Sequence, residues 1–119
     1  MPIKKTVLFF LATLLIVACN LIATPEPPGV GEKAELGYAV CDPIVKALEQ
    51  YQAENDAYPE TLTELIPKYL AEAPTEVNDQ PIYYTKVDGS FSLTFHYVGP
   101  GMNTCTFTPE GQWQCSGAY

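Results

Sequence analysis

Two cysteines, Cys105 and Cys115, stand on either side of a Pro-Glu-Gly turn in TCTFTPEGQWQCS, with Phe107 and Trp113 between them. Thiols in such a pattern have three chemistries open to them: a redox pair, half of a metal site, or a structural disulfide. A thioredoxin-like pair would want Cys-x-x-Cys at a helix start, and zinc would want two more thiolate or imidazole ligands at suitable spacing. The chain has one histidine, His96, which alternates with Phe95 and Tyr97 on what reads as the solvent face of a strand. The other groups with chemistry are carboxylates: Glu54, Asp56 and Glu60 surround the Tyr58-Pro59 turn. A carboxylate pair about 5 Å or about 7 to 9 Å apart would suit glycoside hydrolysis. No serine-histidine-acid set, phosphate-cradling glycine loop or metal-ligand spacing accompanies them. The expectation is therefore no catalytic residue, no metal and no cofactor, with a small carboxylate-based hydrolase as an alternative.

Strand register separates the three cysteine chemistries. In IYYTKVDGSFSLTFHYV, Asp88-Gly89 between alternating segments is a hairpin signal. A two-residue loop there pairs Lys86 with Phe91, Tyr84 with Leu93 and Ile82 with Phe95, so apolar residues meet apolar residues. If Pro109-Glu110-Gly111 is a three-residue loop, Phe107 faces Trp113 and Cys105 faces Cys115 on one face of a second hairpin. Directly opposed Cα atoms lie about 4.5 to 5.5 Å apart, within disulfide reach. Closing so short a loop is worth about 3 kcal/mol in the chain-entropy model. Cys41, near a helix start, could bridge to either strand cysteine. The hairpin geometry favours Cys105 with Cys115 and leaves Cys41 buried or seeking a partner.

Compartment decides whether such thiols join, and the other end of the chain bears on it. MPIKKTVLFFLATLLIVAC opens with Lys4 and Lys5 and runs without charge from Thr6 to Ala18. A basic start and a short apolar run have the form of a secretory signal, and the run is shorter than the roughly 20 residues of a membrane-spanning helix. Ile16-Val17-Ala18-Cys19 resembles a bacterial lipobox, which implies removal of residues 1–18, acylation of Cys19 and contact with a membrane through its acyl chains. Asn20 is not the Asp that commonly retains lipoproteins at the inner membrane, so the resemblance implies an outer-membrane anchor facing the periplasm. In that oxidising setting Cys105 and Cys115 are expected to join. The 119-residue chain carries a net charge of −8 and no arginine; without residues 1–18, four lysines face fourteen acids, a charge of −10. Such a surface lacks the basic footprint that nucleic-acid binding requires.

From Cys19 to Gly37 the chain reads as a lipidated tether rich in proline and glycine, followed by a single small domain over 38–119. Asp42 and Pro43 fit the N-cap and first position of a helix over about 43–55, with Ile44, Leu48 and Tyr51 on one stripe. Thr61 and Glu64 have capping-box spacing, and Pro67 ends a short second helix. The segment 71–81 reads as a loop. The expected class is α+β: a helix and a short second helix packed on a small antiparallel sheet of two hairpins.

These elements carry a family resemblance. ALEQYQAENDAYPETLTELIPKYL, then Pro74, then QPIYYTK is similar to the globular part of the major pseudopilin of type II secretion systems. Tyr51, Asn55, Tyr58, Pro59, Leu62, Leu65, Tyr69, Leu70, Pro81, Tyr83 and Tyr84 take that family's places, with Ile82 inserted. The resemblance covers about residues 44–97 and implies a pseudopilin-like fold. The processing site before a long apolar helix and the acidic calcium loop are missing, so neither polymerisation nor calcium is implied. The expected function is a lipid-anchored, non-enzymatic envelope protein with a structural or protein-interaction role, its partner another envelope protein. The alternative from a neighbouring class is an accessory component of a secretion or pilus-type apparatus. The candidate contact surface is Gly99, Pro100, Gly101, Met102 and Asn103, with Trp113 and residues 117–119 beside it; otherwise this loop is only a connection and Trp113 packs on Phe107.

Overall fold

In the computed structural model, which describes residues 26–117, one α-helix, α1 (Glu32–Asn55), precedes all the strands. The expected signal, Cys19 and the tether as far as residue 25 lie outside the described residues, as do residues 118 and 119. The helix begins well before Pro43, so residues 32–37 of the expected tether are helical and Asp42 is not an N-cap. Its buried stripe explains why: Ala34, Gly37, Cys41, Ile44 and Leu48 recur at alternating steps of three and four and face the core. The first half of that stripe is made of small residues, which carry little hydropathic signal. Pro43 lacks the N–H that would bond Ala39, a loss of about 3 kcal/mol in a helix interior. Both residues are exposed, so the carbonyl left over faces water, while packing on either side holds the helix together. Gly31 opens the helix with φ 108° and no side-chain cap, and Glu32 and Glu35 in the first turn complement the helix dipole.

The helix ends at Asp56 in the left-handed region (φ 59°), whose N–H bonds Gln52 O at 2.9 Å. Tyr58 and Pro59 follow; the Tyr58 ring meets Phe91 edge-on at 4.8 Å, and Tyr84 Oη donates to the Pro59 carbonyl at 2.6 Å. The expected second helix is a single 3-10 turn, Leu62–Leu65. Thr61 and Glu64 form the expected capping box, Glu64 accepting from the Thr61 N–H at 2.9 Å, and Leu65 is fully buried. The segment expected as a loop contains a small hairpin, β1 (Glu76–Val77) with β2 (Gln80–Pro81). Asn78 and Asp79 both take positive φ there, the conformation a two-residue hairpin turn demands.

Four strands then form one antiparallel sheet in chain order: β3 (Tyr83–Val87), β4 (Ser90–Val98), β5 (Met102–Thr108) and β6 (Gln112–Gly117). The fold is α+β, one helix on a four-stranded sheet with a two-stranded sheet beside it. Both expected registers hold: Lys86 faces Phe91 and Tyr84 faces Leu93, while Phe107 faces Trp113 and Cys105 faces Cys115. The expected Ile82 to Phe95 pair does not form a ladder rung, because the Ile82 N–H bonds Thr75 O at 2.9 Å. The two hairpins join through β4 and β5, where Gly99-Pro100-Gly101 makes the connection and Phe95 faces Cys105.

Strand alternation sorts the sheet into two faces. Phe91, Leu93, Phe95 and Tyr97 of β4 with Asn103, Cys105 and Phe107 of β5 are buried beneath α1. At Gly37 the helix comes closest: a Cβ there would lie 2.0 Å from Phe95 Cε2. Only glycine lets the two elements approach that far.

Candidate functional site

The disulfide joins Cys105 and Cys115 across β5 and β6, with Cα atoms 4.1 Å apart. It is the staple that the hairpin register calls for, and it lies under a segment that sequence patterning assigned to the tether. Tyr38 Oη, on α1, lies 3.2 Å from Cys115 Sγ and donates to the Gly29 carbonyl at 2.9 Å. The Gly29 N–H donates in turn to Tyr97 Oη at 2.8 Å. Gly29 has φ 86°, and a Cβ there would come within 2.8 Å of Cys115 Sγ. Residues 27–31 thus form a strap clamped between two tyrosines and seated on the disulfide. Burial, followed by the neighbouring Tyr97, pushes the Tyr38 hydroxyl above its ordinary pKa, so it stays a donor. The Pro-Pro-Gly composition gave no hint of this docking, because both hydrogen bonds use the Gly29 backbone.

Lys33 extends from the first helical turn and donates from Nζ to Val98 O at 2.6 Å, tying the strap side of α1 to the end of β4. Between them lies an open cleft of about 310 Å³, with Glu26, Glu32, Lys33 and Tyr97 in its walls and Gly99 at its rim. The expected contact loop borders this cleft. Gly99 and Pro100 are exposed and Met102 is half exposed, but Asn103 is only 2 % exposed. Its amide donates to the Gly99 and Gly101 carbonyls, each at 3.1 Å, so it holds the turn from inside and is withdrawn from contact. Gly117 abuts Asn103, with a Cβ there 2.2 Å from Oδ1.

Trp113 packs on Phe107 at 5.5 Å between ring centres, as expected, and also on Phe95 and Tyr38. Its indole N–H donates to Asp42 Oδ1 at 2.8 Å. Asp42 thus anchors the last strand to mid-helix, a role that its cap-like position before proline concealed. Cys41 beside it is free and fully buried, and burial with the Asp42 charge pushes its thiol up to about 12.

The three loop carboxylates are directed to separate tasks. Glu54 forms an ion pair with Lys68 at 2.8 Å and accepts from Tyr69 Oη. The hydrogen bond from Lys68, then that from Tyr69, holds its carboxyl below the usual range. Glu60 pairs with Lys86 of β3 at 2.9 Å, and Asp56 is the exposed helix C-cap. Glu54 and Glu60 are thus each matched to a different lysine, which is a poor preparation for sharing a substrate. His96 lies on the outer sheet face, its Nδ1 2.9 Å from Thr104 Oγ1. Among the described residues, no three or more His, Cys, Asp or Glu side chains are grouped to hold a metal ion. No helix among them is long and apolar enough to cross a membrane. Comparison with protein-family models, curated proteins and solved structures finds no match in any of the three.

Proposed function

We propose that the chain is a lipid-anchored protein of the bacterial cell envelope with a non-enzymatic, structural or protein-interaction role. Residues 1–18 act as its signal, and acyl chains on Cys19 hold it in the outer membrane facing the periplasm. The observation that carries this reading is the Cys105–Cys115 disulfide, a bond that persists in oxidising compartments, in a chain that begins with a basic and apolar run ending at Cys19. The docked strap refines the anchor. With Gly29 held to the domain, the spacer between Cys19 and the strap is residues 20–26 and not 20–37, a span of at most about 25 Å. The domain then sits close to the bilayer, and the exposed Gly99-Pro100 turn with Val98 and Met102 is the surface offered to a protein partner. The hydrolase alternative has less support, since Glu54 and Glu60 are each neutralised by a lysine.

Intact mass of the membrane-extracted protein, with alkylation before and after reduction, tests the reading. A diacyl or triacyl increment on Cys19 and two thiols that alkylate only after reduction are expected. An unlipidated chain with its signal intact would overturn the anchor.

An accessory role in a secretion or pilus-type apparatus is the second reading. What favours it is the order of elements: a helix, the Tyr58-Pro59 turn, a short leucine-containing turn and an antiparallel meander, the order that the pseudopilin resemblance implies. Crosslinking in cells followed by purification of the tagged chain would recover secretion-machinery subunits if this holds.

A further inference from the structure

We propose that the outward face of the four-stranded sheet is a docking surface for a neutral glycan chain. This goes beyond the envelope reading and uses the middle rows of that face, short of Val98 and Met102 beside the Gly99-Pro100 turn.

The first observation is the face's charge. The chain carries a net charge of −8, yet no outward-facing residue of β3 to β6 is Asp, Glu, Lys or Arg. Asp88 and Glu110 sit in the two turns at one end of the sheet, where the Glu110 carboxyl is held below its usual range by a hydrogen bond from Ser90, and Glu26, Glu32 and Lys33 line the cleft beside Val98 at the other end. A sheet face that served only for solvation would ordinarily carry Lys and Glu, which also guard its edges. A phosphate or carboxylate ligand would want cations, and a basic partner would want acids. A neutral ligand fits a face with neither.

The second observation is what replaces the charge. The register lines up Tyr83, Thr94, Thr106 and Gln114 in one row across the four strands, and His96, Thr104 and Ser116 in the next. Thr94 and Thr106 hydroxyls meet at 2.9 Å, so one proton is used between them and the other remains for an outside acceptor. Hydroxyls and carboxamides both donate and accept, which is the complement of a sugar hydroxyl. Tyr83 supplies the apolar part of a saccharide site. It is 54 % exposed, and its ring is braced edge-on against His96 at 5.6 Å, leaving an aromatic surface for the C–H face of a pyranose.

Size separates a glycan from a second copy of the chain. Four strands at about 4.8 Å spacing and some six residues in length give a face of roughly 400 Å². That is about half of what one partner buries in a standard stable protein interface, but it accommodates a short run of sugar rings.

The test uses the full-length detergent-solubilised chain, co-sedimented with insoluble cellulose, chitin and β-1,3-glucan, and with a carboxymethylated cellulose of matched particle size. Retention on at least one neutral polymer is expected, with about tenfold weaker retention on the anionic derivative and a loss of about tenfold in both Thr94→Val/Thr106→Val and Tyr83→Ala. Valine keeps the shape and strand preference of threonine, and circular dichroism confirms that each variant is folded. Sedimentation with none of the neutral polymers, or retention unchanged in both variants, overturns the proposal. So does self-association in analytical ultracentrifugation that the same substitutions abolish, because the face then belongs to a second copy. The mass measurement on Cys19 is independent of all these outcomes, so failure of the anchor and failure of the glycan site are distinguishable.

Discussion

The two faces of the four-stranded sheet are built on the same strands and the same alternation, yet they answer to different demands. The inner face is crowded with rings: Phe95 touches Tyr38, Tyr97 and Trp113, and Phe107 stacks on Phe91. Phe95 is fixed by the shape of α1 above it, down to the missing Cβ of Gly37. Among the described residues no helix covers the outer face, where Thr94 meets Thr106 and His96 meets Thr104. Strand preference alone would accept many residues at these positions. The difference teaches that inner residues are determined by packing, whereas the hydroxyl rows and the absence of charge outside are not required by the fold.

Substitutions can break or sharpen that contrast. Phe95→Ala, on the inner face, is expected to cost about 4 kcal/mol, because the site is enclosed and cannot collapse fully; urea unfolding followed by circular dichroism measures it. Replacing both Cys105 and Cys115 with alanine should cost about 3 kcal/mol and lower the thermal midpoint by roughly 15 °C. Gly37→Ala adds one methyl group but forces the helix off Phe95, for an expected loss of about 2 kcal/mol. A smaller change there would mean that the helix slides easily over the sheet.

Alkali should act on the inner side as well. Cys41 is raised from 9.0 to about 12 in the folded protein, so its contribution is complete below pH 9 and is lost as the pH rises toward 12. Tyr38, Tyr58 and Tyr84 are raised in the same direction, chiefly by burial, and steepen that loss. Urea midpoints at pH 7, 9 and 10 should fall mostly over the last interval. The smallest effect belongs to the outer face: Thr94→Val/Thr106→Val should alter stability by no more than about 0.5 kcal/mol. A loss near that of Gly37→Ala would show that the hydroxyl rows belong to the fold after all.

The two halves of α1 divide in a similar way as to what could be read in advance. Ile44, Leu48 and Tyr51 carry enough hydropathy to mark the second half, while Ala34, Gly37 and Cys41 mark the first half only once Phe95 is in place above them. Asp42-Pro43 has the chemistry of a helix start but lies inside the helix. Local preference of that kind is worth a few kcal/mol at most, and burial on both sides of Pro43 outweighs it.

Short-range rules therefore determined what lies within a hairpin. Loop length and alternation set the Tyr84–Leu93 and Cys105–Cys115 partners without help from any tertiary contact, because a two- or three-residue turn leaves one register that keeps apolar side chains together. The sequence also set the overall acidity and the identity of the staple. Only the tertiary structure decided which residues meet across longer separations: the strap on the disulfide, Trp113 with Asp42, and Glu54 and Glu60 with separate lysines. Those contacts depend on small residues, backbone groups and the order of strands in space, and none of these leaves a periodic trace along the chain.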